Sequence, residues 1–275
     1  MFSTELFKIR LCLIYYINLT LIYRHIFYVQ TSLTLLYQQF IGVIMQHSKN
    51  TVLITGTNRG LGLEFTKQYA TDGWQVIACC RNPNSASDLQ ALAKTHSNIQ
   101  LVALDVADFN QIDQVAKSLS QPIDVLINNA GVYPDSSLGD INYDDWATAF
   151  KINSMAPMKM AQTFAPHVAK SNLKKIATLS SKMGSLDDNT SGGSYLYRSS
   201  KTAVNMVMKS LSIDLNPQGI TVITLHPGWV QTDMGGPNGL INAQTSVTGL
   251  RKVIADTSLK DSGAFITFDG KPVAW

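Results

Sequence analysis

The chain has 275 residues, of which 45% are hydrophobic, and this is enough to bury one sizeable core. Its net charge is only +3 and its basic residues are scattered, which argues against a nucleic-acid surface and favours a small-molecule partner. Three cysteines (Cys12, Cys79 and Cys80) form no disulfide framework, and the histidines show no metal-ligand spacing. We therefore expect a reducing, cytoplasmic location and no metal site.

Residues 1–44 differ in composition from the rest, being rich in Leu, Ile, Tyr and Phe. A signal peptide would need a small-residue cleavage site after its apolar run, and none is evident. A membrane span of about 20 apolar residues would be interrupted by Arg24 and His25. We favour a third interpretation, in which residues 1–44 are an extension and the folded domain, residues 45–275, starts near Met45. Membrane association then depends on the extension alone.

From residue 51 onward, short apolar or β-branched runs alternate with segments of helical periodicity. This alternation predicts one α/β domain, a Rossmann-like doubly wound parallel sheet of about seven strands with helices on both faces. The predicted strands span residues 51–55, 75–79, 99–104, 123–127, 173–179, 220–225 and 265–268. The first predicted helix starts near residue 61, and the others span residues 85–94, 110–119, 143–170 and 197–215.

A glycine-rich turn with the spacing TGxxxGxG separates the first predicted strand from the first helix. Glycines in this position let backbone amides approach a pyrophosphate, and the helix N-terminus favours the negative charge. The turn alone is a weak signal, but its place between strand and helix is the context that supports a dinucleotide site. The candidate cofactor contacts in the turn are Gly56, Thr57, Asn58, Arg59, Gly60, Leu61 and Gly62.

The end of the second strand bears on which dinucleotide is bound. An NAD site needs a carboxylate there for the ribose 2′-hydroxyl, yet residues 78–82 contain no acid. Arg81 and Arg59 can instead hold a 2′-phosphate, so the sequence favours NADP(H) over NAD(H), unless both arginines are simply solvated. After the third strand, Asp105 and Val106 can contact the adenine, although Asp105 can equally be a helix N-cap or a turn residue.

Tyr197 and Lys201 stand four residues apart on a predicted helix, so their side chains share one face. A tyrosine pKa of about 10 is too high for ready proton exchange, and a neighbouring ammonium group should lower it. Tyr197 then becomes a general acid and base. Ser181 supplies a hydroxyl that can polarise a substrate carbonyl, or it is only a turn residue. Such a Tyr–Lys pair is common by chance, so its weight comes from its context.

These motifs, taken in order, resemble the short-chain dehydrogenase/reductase family over about residues 50–275. The sequence of residues 58–62 and the C-terminal stretch around Asp269 and Trp275 are similar to those of the C-factor and sniffer-type carbonyl reductase branch. The resemblance is carried by the glycine turn, Asn128-Asn129-Ala130-Gly131, Asn153, Ser181, Tyr197 with Lys201, and Pro227-Gly228.

The resemblance implies an oxidoreductase that interconverts a carbonyl and an alcohol by hydride transfer from the cofactor. It implies that Asn153 holds a water in a proton relay, Ser181 orients the carbonyl, Tyr197 donates the proton and Lys201 contacts the nicotinamide ribose. It further implies cofactor or supporting roles for Asn128, Asn129, Ala130, Gly131, Pro227, Gly228, Val230 and Thr232. The alternative is a cofactor-binding signalling protein of C-factor type with little or no turnover. Family members are often dimers or tetramers, so a homo-oligomer is an expectation by analogy.

Two choices between neighbouring residues and two expectations about loops accompany this assignment. Ser180 is the alternative to Ser181, and Tyr195 rivals Tyr197 but lacks a lysine four residues later. Residues 185–194 form a longer stretch than in many family members, so we expect a differently built substrate wall. Residues 233–248, the usual lid segment of the family, are rich in Gly and Asn, which predicts an open or mobile pocket.

Overall fold

The computed structural model describes residue 30 and residues 49–275, and Lys49–Trp275 form one compact unit. The predicted domain boundary at 44/45, and the choice between the three interpretations of the extension, lie outside the described residues. Within the described part of the chain, none of the helices combines the length and the apolar character that a membrane crossing requires.

Seven parallel strands form a single sheet in the order β3-β2-β1-β4-β5-β6-β7, which confirms the predicted doubly wound α/β fold. The strands are β1 Thr51–Thr55, β2 Gln75–Cys80, β3 Ile99–Ala103, β4 Val125–Asn128, β5 Lys175–Leu179, β6 Thr221–His226 and β7 Phe265–Thr267. The longer helices are α1 Gly60–Thr71, α2 Ser87–Thr95, α3 Phe109–Ser118, α4 Tyr143–Phe150, α5 Ala156–Ala169, α6 Tyr195–Asp214 and α7 Ala243–Asp256.

Strands β1, β4 and β5 are buried along their whole length, whereas the edge strand β3 is only partly buried. Since successive side chains point to opposite sides of the sheet, a fully buried strand needs cover on both faces. Leu53 of β1 packs into one core layer together with Phe164 of α5 and Met208 of α6. Its neighbour Ile54 packs into the other layer with Phe65 of α1 and Leu250 of α7. Helices therefore cover both faces, and the continuous apolar runs of the sequence follow from this double burial.

The predicted helix over residues 143–170 is interrupted in the structure. A π-helical turn, Lys151–Met155, separates α4 from α5, and such turns often occur at functional sites. Pro157 lies in the first turn of α5, where a missing N–H costs little, whereas Pro166 lies inside that helix. The π-helical turn places Asn153 between the two helices.

Helix α7 is an element that our sequence prediction missed. Asn242 caps it by accepting a hydrogen bond from the Thr245 amide at 2.8 Å, and Val247, Leu250 and Ile254 bury one face. The fifth strand also begins later than predicted, at Lys175, because Lys174 adopts a left-handed conformation with φ of 51°. These differences leave the sheet topology unchanged.

Candidate functional site

A cleft of about 1190 Å³ lies at the carboxyl ends of the strands. Its floor is next to β1 and β4, where the strand order reverses direction, and open α/β sheets bind their ligands at such a point. The predicted residues that line the cleft are Gly56, Asn58, Arg59, Gly60, Leu61, Gly62, Arg81, Asp105, Val106, Asn129, Ala130, Gly131, Tyr197, Lys201, Pro227 and Thr232.

The glycine turn is folded tightly against the end of β4. A Cβ atom on Gly62 would lie 2.1 Å from the Gly56 carbonyl oxygen, so only glycine fits there. The Asn129 side chain donates to the carbonyl oxygens of Thr55 at 2.8 Å and Gly56 at 3.1 Å. Helix α1 begins at Gly60, so its free backbone amides point towards the cleft, which favours an anionic group. Asn129 thus stabilises the glycine-rich turn through hydrogen bonds to its backbone.

Three predicted cofactor contacts do not line the cleft wall. The Thr57 amide and hydroxyl both donate to the Cys79 carbonyl oxygen at 3.1 Å, so Thr57 fastens the turn to β2. Gly228 has φ of +85°, and a Cβ there would lie 2.8 Å from Ile241. Val230 is buried and pairs with Ile241 in a β-bridge. In the structure these three residues pack within the protein. The sequence motif alone could not separate such a packing role from contact with a ligand.

The mouth of the cleft is charged and exposed. The Arg59 guanidinium forms an ion pair with Asp233, a partner that we did not predict. Arg81 lines the same cleft and is exposed, and none of the ion pairs found in residues 49–275 involves it. Asp105 is a turn residue on the cleft wall, since its Oδ1 accepts from the Ala107 amide at 2.9 Å. The N-cap alternative for Asp105 was wrong, because Asp108 caps α3.

Of the predicted catalytic residues, Tyr197 and Lys201 line the inner end of the cleft, whereas Ser181 and Asn153 lie next to them outside its lining. Tyr197 is buried, and the Ser181 hydroxyl lies beside its phenol and lowers its pKa. The Lys201 Nζ donates to the Leu179 carbonyl oxygen at 2.8 Å and lies 5.7 Å from the centre of the Tyr197 ring. The competing Ser180 instead donates its hydroxyl to Asn205 at 2.6 Å. This geometry favours Ser181 over Ser180 as the hydroxyl beside Tyr197.

Asn153 is locked beneath this group by three hydrogen bonds. Its Oδ1 accepts from the Val132 amide at 2.9 Å, and its Nδ2 donates to the Val132 carbonyl oxygen and to the Ser200 hydroxyl, both at 2.9 Å. Both amide hydrogens are therefore used within the protein. The side chain joins the β4 end of the cleft to α6.

Burial dominates the electrostatics of the site. It raises the pKa of Tyr197 to about 12, the Ser181 hydrogen bond lowers it, and the neighbouring Tyr133 raises it further. Burial also lowers the pKa of Lys201 to about 8. Our prediction that Lys201 would lower the Tyr197 pKa was wrong for this arrangement, because the ammonium group lies over the ring face and binds a carbonyl oxygen. Tyr197 is therefore protonated at neutral pH.

Tyr133 is the main site residue that sequence reasoning missed. Its ring centre lies 4.4 Å from that of Tyr197, with the planes tilted by 49°, and its hydroxyl bonds with the Ser194 hydroxyl at 2.8 Å. The available signal was an aromatic residue two positions after Gly131, just beyond β4. Ser200 was also missed, since its contact with Asn153 depends on the π-helical turn.

The substrate side is built from two loops. Arg198 of α6 donates to the Ser191 hydroxyl at 2.9 Å and to the Met183 carbonyl oxygen at 3.4 Å, which ties the 185–194 stretch to the helix. In the lid segment, the Trp229 indole donates to the Gly235 carbonyl oxygen at 2.7 Å, and the Leu240 amide donates to the Trp229 carbonyl oxygen at 2.7 Å. Residues 243–248 belong to α7. The lid is thus a hydrogen-bonded turn followed by helix, and its mobility stays a prediction.

Comparison with known proteins gives a consistent result. The model of the short chain dehydrogenase family matches residues 50–240. The C-signal protein of Myxococcus xanthus is 46% identical over 155 residues, which cover 56% of this chain and 93% of that protein. The carbonyl reductase Sniffer of D. melanogaster superposes with a TM-score of 0.78 at 37% identity, covering 82% of this chain and all of the other. NADPH-bound carbonyl reductase from chicken fatty liver gives 0.79 and 35%, covering 82% and 99%.

The chain therefore belongs to the short-chain dehydrogenase family and is a short-chain oxidoreductase. Within that family it belongs to the branch of the Sniffer-type carbonyl reductases and C-signal. In the described part of the chain, no group of three or more His, Cys, Asp or Glu side chains is placed to hold a metal ion.

Proposed function

We propose that this protein is an NADP(H)-dependent reductase of a small-molecule carbonyl, with Tyr197 as the proton donor. The observation that carries the proposal is the buried Tyr197 phenol, which lies beside Ser181 and Lys201 at the inner end of a dinucleotide-sized cleft. The same arrangement serves alcohol oxidation in the reverse direction.

The cleft fits a nicotinamide dinucleotide. Gly62 lets the turn fold tightly against the Gly56 carbonyl oxygen, and the amides at the start of α1 supply hydrogen-bond donors for a pyrophosphate. Arg81 and Arg59 are the residues that would hold a 2′-phosphate, and chicken carbonyl reductase is a neighbour with bound NADPH. When bound, the nicotinamide supplies the hydride for the carbonyl carbon.

The side chains of the site have separate roles in carbonyl polarisation, proton donation and positioning. The Ser181 hydroxyl donates to the substrate carbonyl oxygen and polarises it. The Tyr197 phenol, protonated because its pKa is raised to about 12, donates its proton to that oxygen as negative charge develops there. Lys201 carries an ammonium group that can bond with a ribose hydroxyl. Asn153 holds the Gly131–Val132 backbone in place, and any water that it binds in a proton relay would be held without its amide hydrogens.

The test is oxidation of NADPH and of NADH by the full-length protein with a panel of aldehydes, ketones and quinones. We expect substrate-dependent oxidation, faster with NADPH, that is lost in Tyr197→Phe. Equal efficiency with NADH would refute the cofactor preference. Turnover by Tyr197→Phe at the wild-type rate would refute the proposed proton donor.

A cofactor-binding signalling protein is the second candidate, favoured by the 46% identity to C-signal. It predicts tight binding of the dinucleotide without turnover of any carbonyl. The same panel separates the candidates when it is combined with a binding titration: binding with no Tyr197-dependent oxidation would support the signalling role.

A further inference from the structure

The two walls of the cleft touch each other at its mouth. Arg59, in the glycine turn, pairs with Asp233 in the segment after β6. Next to this pair, a Cβ on Gly60 would lie only 3.6 Å from the Thr232 methyl group. The contact therefore joins the phosphate-binding turn to the lid segment, although the paired residues are 174 positions apart in the chain.

Asp233 is held in position by its own turn. The Gly236 amide donates to the Thr232 carbonyl oxygen at 2.8 Å, and the Gly235 amide donates to the Thr232 hydroxyl at 3.2 Å. The Trp229 indole fixes Gly235 from the other side at 2.7 Å. The carboxylate is thus presented to Arg59 by a hydrogen-bonded loop.

Arg59 is also one of the two arginines that the proposed function assigns to the 2′-phosphate. A guanidinium binds a carboxylate and a phosphate through the same fork of N–H groups, so the two anions compete for it. We propose that Asp233 sets the cofactor specificity of this protein by competing with the 2′-phosphate for Arg59. This inference rests on the proposed function, since it assumes that Arg59 meets the 2′-phosphate.

The exposure of the two side chains limits how much this competition can change NADPH affinity. The side chains of Arg59 and Asp233 are 68% and 72% exposed, and pairs this exposed change an equilibrium constant by at most about fivefold. NADH lacks the 2′-phosphate and leaves the pair intact. Asp233 therefore weakens NADPH binding a few-fold and leaves NADH binding unchanged. This reduces the preference for NADPH over NADH that Arg59 and Arg81 create.

The test is binding of NADPH and of NADH to the full-length protein without substrate, followed by calorimetry or protein fluorescence. We expect Asp233→Asn to lower the NADPH dissociation constant about two- to fivefold and to leave that of NADH unchanged. Asp233→Glu, which keeps the carboxylate, should bind as the wild type does. In an Arg59→Met background, Asp233→Asn should have no effect.

Two results would overturn the inference. Unchanged or weaker NADPH binding by Asp233→Asn would mean that the carboxylate does not compete, or that it pre-positions Arg59. Equal tightening of NADPH and NADH, or tightening that persists in Arg59→Met, would mean that Asp233 acts only by general charge. Failure of the proposed function is distinguishable, because it appears in the wild type as NADPH binding without carbonyl-dependent oxidation, whereas this inference is decided by the change in NADPH affinity in Asp233→Asn.

Discussion

The two ends of the cleft differ in burial: the catalytic end is enclosed in the protein, and the mouth is exposed to solvent. At the catalytic end, Asn153 and Lys201 are 1% and 5% exposed, and hydrogen bonds within the protein hold both side chains. At the mouth, Arg59 and Asp233 are mostly exposed to solvent. Burial therefore shifts the pKa of Tyr197 and Lys201 strongly, whereas solvent screens the charges at the mouth. We therefore propose that the buried end carries the chemistry and that the exposed end adjusts the cofactor preference.

The largest expected effect is at the buried end. Tyr197→Phe removes the proton donor but keeps the ring that packs against Tyr133, so we expect turnover to fall by about 10²- to 10⁴-fold. Cofactor affinity and the thermal midpoint should change little. Steady-state NADPH oxidation and a binding titration on the same preparation check this. A loss of cofactor binding equal to the loss of turnover would show that the phenol serves binding instead.

A second substitution probes the turn between the two ends. Gly62→Ala places a Cβ 2.1 Å from the Gly56 carbonyl oxygen, so we expect a loss of about 1–3 kcal/mol in unfolding free energy and a large loss of cofactor affinity. Gly73→Ala is the matched control, since φ of +81° makes it strained but nothing lies near its Cβ. Denaturant titration should show both variants destabilised. Cofactor affinity that falls equally in both would contradict the role of Gly62.

The pH profile tests the buried lysine. Burial lowers the pKa of Lys201 to about 8, so its ammonium form is lost as pH rises through that value. If the charge is needed for reduction, kcat should be level below about pH 7 and fall up to about tenfold per pH unit well above pH 8. In Lys201→Arg, whose guanidinium stays charged, any remaining activity should not show this fall. A profile that is flat to pH 10 in the wild type would refute the requirement.

The smallest expected effect concerns Tyr133. Tyr133→Phe keeps the ring that packs at a tilt against Tyr197 and removes only the hydroxyl that bonds with Ser194, so we expect a loss of about 0.5–1.5 kcal/mol in unfolding free energy and a kcat within a few-fold of the wild type. Tyr133→Ala, which exposes the Tyr197 ring to water, should lower the Tyr197 pKa from its raised value. Ultraviolet titration of the phenols measures that change, and an unaltered titration would exclude Tyr133 as part of the buried environment.

The sheet could be predicted because strands such as β1, β4 and β5 are buried on both faces and stand out as apolar runs. The spacing of four predicted that Tyr197 and Lys201 share one face of a helix, and the structure places both on α6 and in the lining of the cleft. Helix α7 was missed although Val247, Leu250 and Ile254 carry the helical spacing, since the Gly-rich residues before it suggested a loop. The partners of Asn153 and of Arg59 were beyond prediction, because a π-helical turn and a contact over 174 residues leave no local pattern.

We propose that this cleft passes a hydride from NADPH to a carbonyl carbon while Tyr197 supplies the proton. The most direct measurement is mass spectrometry or NMR of the alcohol formed from a reactive carbonyl and NADPH deuterated at the nicotinamide C4 position. We predict one deuterium on the carbinol carbon with the wild type and almost no product with Tyr197→Phe. Cofactor that binds without any labelled alcohol, or label transfer that is unaffected by Tyr197→Phe, would contradict the claim.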